Sequence, residues 1–592
     1  MARHLLVGAA IFILAVAAVA FAQEEPGLLD AGQHPKFVTP LPEPLNPGFI
    51  FQPDGTVPGP GGDEAYYAIG TYQTRQHLGL FDAAGNPLMT TVWGYGKSPE
   101  TATYPGRSFV ARRDQPVNVL WTNNLVDDLG SPLPHILPVD TTLHWAMPMM
   151  PPYPASGVPI VTHLHGGHSE SASDGLPEAW FTPGFAQTGR VFRKELYHYD
   201  NDQEAATLWY HDHALGITRL NVYAGLAGFY ILRDQFDTGM RDNPLGLPVY
   251  PYEIPVVIQD RLFNADGELY YPSEPEEEGQ PSPSVLPEFF GDFILVNGVA
   301  WPVLDVEPRV YRLRILNGSD SRFYNIWITP GMGMASDPVI NQIGTDDGLL
   351  YAPVPLTQLT IGPGERADVL VDFAGHEGQT LVLRNNARSP YPKGDSVDPQ
   401  TSGQIMAFRV GPGPVDDPGI IPAVLRPAPI EPLMQTGMTR RLVLFEGTDE
   451  YGRLQPSLGT TDQGALKWDD PITENPMLDD VEIWEVYNAT EDAHPIHQHL
   501  VAFQILDRQK YRAHVSDDGA LSGIRLIGKP RKAEANEQGW KDTAQMFPGQ
   551  VTRVIAKYDR EGRYVWHCHI LSHEDHEMMR PYCVGDLANC QP

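Results

Sequence analysis

Four His-x-His pairs constrain this chain more than any other feature: His163/His165, His211/His213, His497/His499 and His567/His569. The 20 histidines of the 592-residue chain, placed at random, would give roughly 0.7 such pairs. Residues two apart on a strand share a face, so each pair aims two imidazoles in one direction. Two pairs fall in the first half of the chain and two near its end. All eight rings converge only if the two ends of the chain pack together. Eight imidazoles suit about three metal ions in one pocket, and imidazole suits copper.

The last pair brackets a cysteine in Tyr564-Val565-Trp566-His567-Cys568-His569. On an extended strand, Cys568 points away from the face that carries His567 and His569, so one strand can serve two sites. His573 follows Cys568 by five residues and Met578 by ten, within reach of a loop closing on one metal ion. Thiolate, imidazole and a weak axial thioether form the ligand set of a blue-copper electron-transfer centre. His494, in His-Pro-Ile-His-Gln-His, has the parity to face away from His497 and His499 and to join Cys568.

Alternating apolar residues, 57 prolines, 56 glycines and few amphipathic helical patterns predict an all-β chain. The chain also echoes itself. Strands stopped by asparagine recur at 117–124, 311–318 and 481–488, and closing strands recur at 208–213, 381–386 and 564–569. These repeats predict three related β-sandwich domains at 23–236, 237–412 and 413–592. The closing strands read His-Asp-His, Arg-Asn-Asn and His-Cys-His, so the middle domain is expected to hold no metal and to act as a spacer. Asp237–Pro251 and Gly411–Pro432 read as proline-rich linkers. Met147, Met149 and Met150 are expected in a packed loop rather than a copper-capturing cluster.

Residues 1–22, an apolar run ending in Ala-Phe-Ala, read as a cleavable signal, which places the mature chain outside the cytosol, secreted or periplasmic. A net charge of −33 argues against nucleic acid as a partner, and no later stretch is apolar enough to span a membrane. Cys583 and Cys590 are candidates for a small disulfide, which leaves Cys568 free.

His163-Leu-His-Gly, Glu178-Ala-Trp-Phe, Trp209-Tyr-His-Asp-His, Leu220-Asn-Val-Tyr-Ala-Gly, Leu295-Val-Asn-Gly, Gly539-Trp-Lys-Asp-Thr, and the His494 and His567 motifs resemble those of three-domain multicopper oxidases. The resemblance is to the bacterial spore-coat laccase and bilirubin oxidase branch and spans nearly all the mature chain. It implies cupredoxin-like Greek-key domains and four coppers. Type 1 copper would be held by His494, Cys568 and His573 with Met578 axial, and type 2 by His163 and His497. The type 3 pair would take His165, His211, His213, His499, His567 and His569. Electrons from phenols, aromatic amines or bilirubin-like pigments would pass from Cys568 to His567 and His569 and reduce O2 to water. Glu574 and Asp174 resemble acids that handle protons near the cluster. Oxidation of Cu(I) or Mn(II) and a non-catalytic copper scaffold are the alternatives, and a monomer is expected. Gln498 departs from the apolar residue usual between the two histidines. His168 and His576 are expected to be solvated.

Overall fold

The computed structural model describes residues 27–590 except Met332, Met334 and Ala335; the expected signal, residues 1–22, lies outside them. The described residues form 33 strands and two short α-helices, Thr218–Ala224 and Leu571–Asp575. The strands build six sheets, and each sheet draws on one contiguous stretch of chain. Sheets of five and four strands lie within 55–233, of eight and five within 253–410, and of seven and four within 439–584. These stretches are called here the first, middle and last units.

Period-two burial explains the layers. In the last unit, Leu442, Trp484 and Val554 of the larger sheet share one core with Ile496, Met546, Trp566 and Tyr582 of the smaller. In the first unit, Ile69, Val119 and Trp121 meet Phe109, Leu208 and Tyr230 in the same way. The fold is therefore all-β, built from packed antiparallel and mixed sheets.

The two small sheets that carry the His-x-His pairs are organised alike. Thr207–Asp212 runs between Thr162–His165 and Ala227–Arg233, with His163 opposite His211. Gly562–Cys568 runs between His494–Gln498 and Met579–Val584, with His497 opposite His567 and Ile496 opposite Cys568. The repeated closing strand thus recurs at the same place in both sheets.

The segments read as linkers contain no strand, yet the first is tied down. Asp237 is buried among Arg233, Arg312 and Arg314, which also grip Glu253. These guanidinium forks satisfy carboxylates that water cannot reach. The methionine loop differs from expectation: Met147, Met149 and Met150 are 50%, 70% and 84% exposed. Their backbone is held instead, since Gln187 accepts the amides of Met149 and Met150. Cys583 and Cys590 form a disulfide, and Cys568 is free and buried. No helix among the described residues is long and apolar enough to cross a membrane.

Candidate metal centre

Cys568 ends its strand facing the core of the last unit. Its Sγ lies 3.6 Å from His494 Nδ1 and 3.8 Å from His573 Nδ1, and the two nitrogens are 3.2 Å apart. Met578 is fully buried, and its carbonyl accepts the Cys568 amide at 3.0 Å. The short helix Leu571–Asp575 turns the chain back so that His573 and Met578 return to the cysteine. Thr490 Oγ1, 2.8 Å from His494 Nε2, leaves Nδ1 of that ring as the inward atom. Burial holds the His494 imidazole down to about 3 and pushes the Cys568 thiol up. A neutral imidazole keeps the lone pair a metal ion needs.

The opposite face of the same strand meets the first unit. His163, His497 and His499 bring ring nitrogens within 4.8 Å of one another, as do His213, His499 and His567, and as do His165, His211 and His569. In the second group the three Nε2 atoms form a triangle with sides of 3.2–3.3 Å. His163 stacks on His499 and His165 on His497, each at 3.7 Å between centroids. The first unit supplies four of these rings and the last unit four.

The donor set tests whether copper fits. His163 Nε2, His165 Nδ1, His211 Nε2, His497 Nε2 and both nitrogens of His569 are buried without a protein hydrogen-bond partner. The other nitrogens of four of these rings are held from behind. His163 Nδ1 lies 2.5 Å from the Asp174 carbonyl, His211 Nδ1 2.8 Å from the Asp212 carbonyl and His497 Nδ1 2.9 Å from the Asp542 carbonyl. His165 Nε2 lies 3.2 Å from Asp542 Oδ1. Such backing fixes each tautomer with a lone pair facing inward. Burial, then neighbouring rings, holds the imidazoles of His163, His165, His213, His499 and His569 well below their ordinary range. Neutral imidazoles beside one thiolate site are a copper donor set, and the residues present fit that metal.

Both acids singled out in the sequence reach the cage. Asp174 Oδ2 lies 2.7 Å from His499 Nδ1, and burial pushes its carboxyl well above the usual range. Glu574 approaches His567 Nδ1 at 3.0 Å and His213 Nδ1 at 3.5 Å, with no exposure. Gln498 is buried, and its Oε1 has no hydrogen-bond partner.

Of the two histidines expected in solvent, one is buried and the other is half-buried and paired. His576 is buried against Asp449, and His168 is gripped by Asp202 and Asp559. Two residues at the cage went unremarked as participants. Asp542 stands behind His165 and His497, and Arg366 of the middle unit pairs with it through two hydrogen bonds. Asp542 lies in the Gly539-Trp-Lys-Asp-Thr stretch, but no spacing rule marks Arg366. Burial alone would raise the Asp542 carboxyl; Arg366, then His165 and His497, hold it well below the usual range.

A buried thiolate centre joined by one strand to an eight-imidazole cage, on packed β-sheets, defines a copper-dependent oxidoreductase. Comparison with known proteins makes the class specific. Multicopper oxidase family models match residues 157–237 and 446–587. The laccase of Bacillus stratosphericus is 44% identical over 83% of this chain and 90% of its own, and multicopper oxidase LPR1 of Arabidopsis thaliana is 36% identical over 84% and 85%. The crystal structure of McoA multicopper oxidase from Aquifex aeolicus, 24% identical, shares the fold with a TM-score of 0.65 over 91% of this chain and 98% of that one. The chain belongs to the multicopper oxidase family and is a laccase-like enzyme using O2 and a small-molecule reductant.

Proposed function

We propose that the enzyme holds four copper ions and oxidises phenols, aromatic amines or bilirubin-like pigments. In this reading His494, Cys568 and His573 hold type 1 copper with Met578 axial, and His163 and His497 hold type 2. His213, His499 and His567 hold one type 3 ion, and His165, His211 and His569 the other. The observation that carries it is the grouping itself. His499 belongs to two of the close triads; assigned to the second, it leaves sets of two, three and three rings, the number each ion needs. The boundaries at 236/237 and 412/413 are part of the proposal, supported by the six sheets, none of which crosses them among the described residues; isolated bridges such as Leu28–Asn264 and Pro40–Val303 join residues 27–41 to the middle unit. So are a signal over residues 1–22, a secreted or periplasmic site and a monomeric state. The Cys583–Cys590 disulfide supports an oxidising compartment.

Bound copper supplies one-electron oxidation at the thiolate site and reduction of O2 to water at the cage. The chain's own residues do the rest. Cys568 is covalently continuous with His567 and His569, and its carbonyl lies 3.0 Å from His567 Nδ1, a hydrogen-bonded short cut toward the cage. Donor and O2 are thereby kept apart. Glu574, between His567 and His213, and Asp174, behind His499, are placed to hold protons and release them toward the cage. Burial raises the Asp174 carboxyl well above its ordinary range, which favours the protonated form.

The substitution Cys568→Ser tests the reading. Serine replaces a soft thiolate with a hard hydroxyl, so the blue absorption should vanish while about three coppers per chain remain. Oxygen uptake with a phenolic donor should stop. Near-normal uptake without the blue band would overturn the strand as the electron route. A donor panel of phenols, bilirubin, Cu(I) and Mn(II) decides the substrate class.

A further inference from the structure

The middle unit supplies no imidazole to the cage, yet Arg366, at the start of the strand Arg366–Asp372, is fully buried beside it. Its guanidinium touches all three units. Nε donates to the carbonyl of Thr207 at 2.9 Å, on the strand that carries His211. Nη1 and Nη2 donate to the two oxygens of Asp542 in the last unit at 2.7 and 2.5 Å. Further bonds reach the Gly364 and Asp346 carbonyls and Asp347 of the middle unit.

Asp542 in turn faces two stacked imidazoles from different units. Its Oδ1 lies 3.2 Å from His165 Nε2, and its carbonyl lies 2.9 Å from His497 Nδ1. Thr543 Oγ1 donates to the same Oδ1 at 2.8 Å and sits 3.3 Å from both ring nitrogens. An acceptor behind a ring nitrogen requires the proton there. Asp542 therefore leaves the lone pair on Nδ1 in His165 and on Nε2 in His497, opposite tautomers set by one residue. Those are the atoms that lack a protein partner. The His497 proton rests on the main-chain carbonyl, whereas that of His165 rests on the carboxylate, and the two-pronged guanidinium is what fixes the plane of that carboxylate.

We propose that Arg366 and the Asp542 carboxylate are positioning groups that set the tautomer of His165, so that the middle unit, without a ligand of its own, governs metal capture by the cage. This rests on the assignment of the cage as a copper site. Lysine cannot reproduce the planar fork, and glutamine removes the charge. Loss of such outer-shell partners weakens metal binding by about 10- to 100-fold.

The experiment compares the copper-loaded parent with Arg366→Gln, Arg366→Lys and Asp542→Asn by competitive chelator titration, copper analysis and electron paramagnetic resonance. The expected result is selective. The blue absorption of the thiolate site persists, cage copper is released at about 10- to 100-fold lower chelator concentration, and its resonance parameters shift. Arg366→Lys should fall between the parent and Arg366→Gln. Should Arg366→Gln fail to fold, Asp542→Asn, nearly isosteric, decides by the same readings. Parent-like release and an unshifted resonance in Asp542→Asn and Arg366→Lys would overturn the proposal, as would parallel loss of thiolate-site and cage copper, the mark of a merely structural role. A parent that binds copper only at the thiolate site would instead refute the cage assignment.

Discussion

His168 offers a quantitative test of how the first and last units are held together. Its Nδ1 lies 2.7 Å from Asp202 Oδ1 in the first unit, and its Nε2 lies 3.0 Å from Asp559 Oδ1 in the last. Burial opposes its charge, but the two carboxylates prevail and raise the imidazole from 6.5 to about 9. At about 1.36 kcal/mol per pH unit the shift sets a ceiling of ~3 kcal/mol. The side chain keeps 23% exposure, and Lys557 and Arg560 compete for the same acids. The usable contribution is then ~1–2 kcal/mol. The sign follows from the raised folded value. The contribution is complete below the unfolded value of 6.5 and is lost as pH rises through about 9. The variant His168→Gln, scanned by calorimetry beside the parent at matched rates, should melt on the order of 1–2 °C lower near pH 6. Near pH 10 the two proteins should melt together, because His168 is neutral in both folded and unfolded chains. An equal deficit at both pH values would refute an ionic role and point to packing.

Met578→Leu should keep the blue band and raise the potential of the thiolate site, since loss of a weak axial donor disfavours Cu(II); an unchanged or lower value in a redox titration removes Met578 as the axial ligand. Glu574→Gln should leave copper content near the parent value and slow turnover by about 100-fold or more, with the deficit in reoxidation of the pre-reduced enzyme by O2. Parent-like reoxidation would exclude Glu574 from proton delivery. Asp212 accepts from the amides of Val161 and Ala214 and from Asn221, an environment of hydrogen-bond donors rather than metal ligands. Asp212→Cys should therefore create no second blue centre and should cost about 1–3 kcal/mol through unsatisfied donors. A doubled blue absorption would contradict it.

The all-β class and the two-faced strand were legible because period-two geometry acts within one segment. Cys568 with His573, and His163 with His165, are local facts of spacing. Convergence of the four pairs required only that the ends of the chain meet. What stayed hidden is non-local. Arg366 lies in a strand with no motif, and its partners Thr207 and Asp542 are 159 and 176 positions away. His576 resembles a surface residue in an acidic stretch, but the turn after Asp575 buries it against Asp449. The methionine loop went the other way: Gln187 holds the backbone of Met149 and Met150 while their side chains stay exposed, which composition does not reveal.

The cage has a thermodynamic corollary. Its rings come half from the first unit and half from the last, so an ion bound there favours the docked arrangement over the separated one. The affinity for copper is then also adhesion between units: at 100 times the dissociation constant, one site adds ~2.7 kcal/mol to the joined state. Copper supply thus acts on the durability of the chain as well as on its chemistry. The strandless connection at 411–438 is where a shortage should show, as cleavage by a protease that a fully loaded molecule resists.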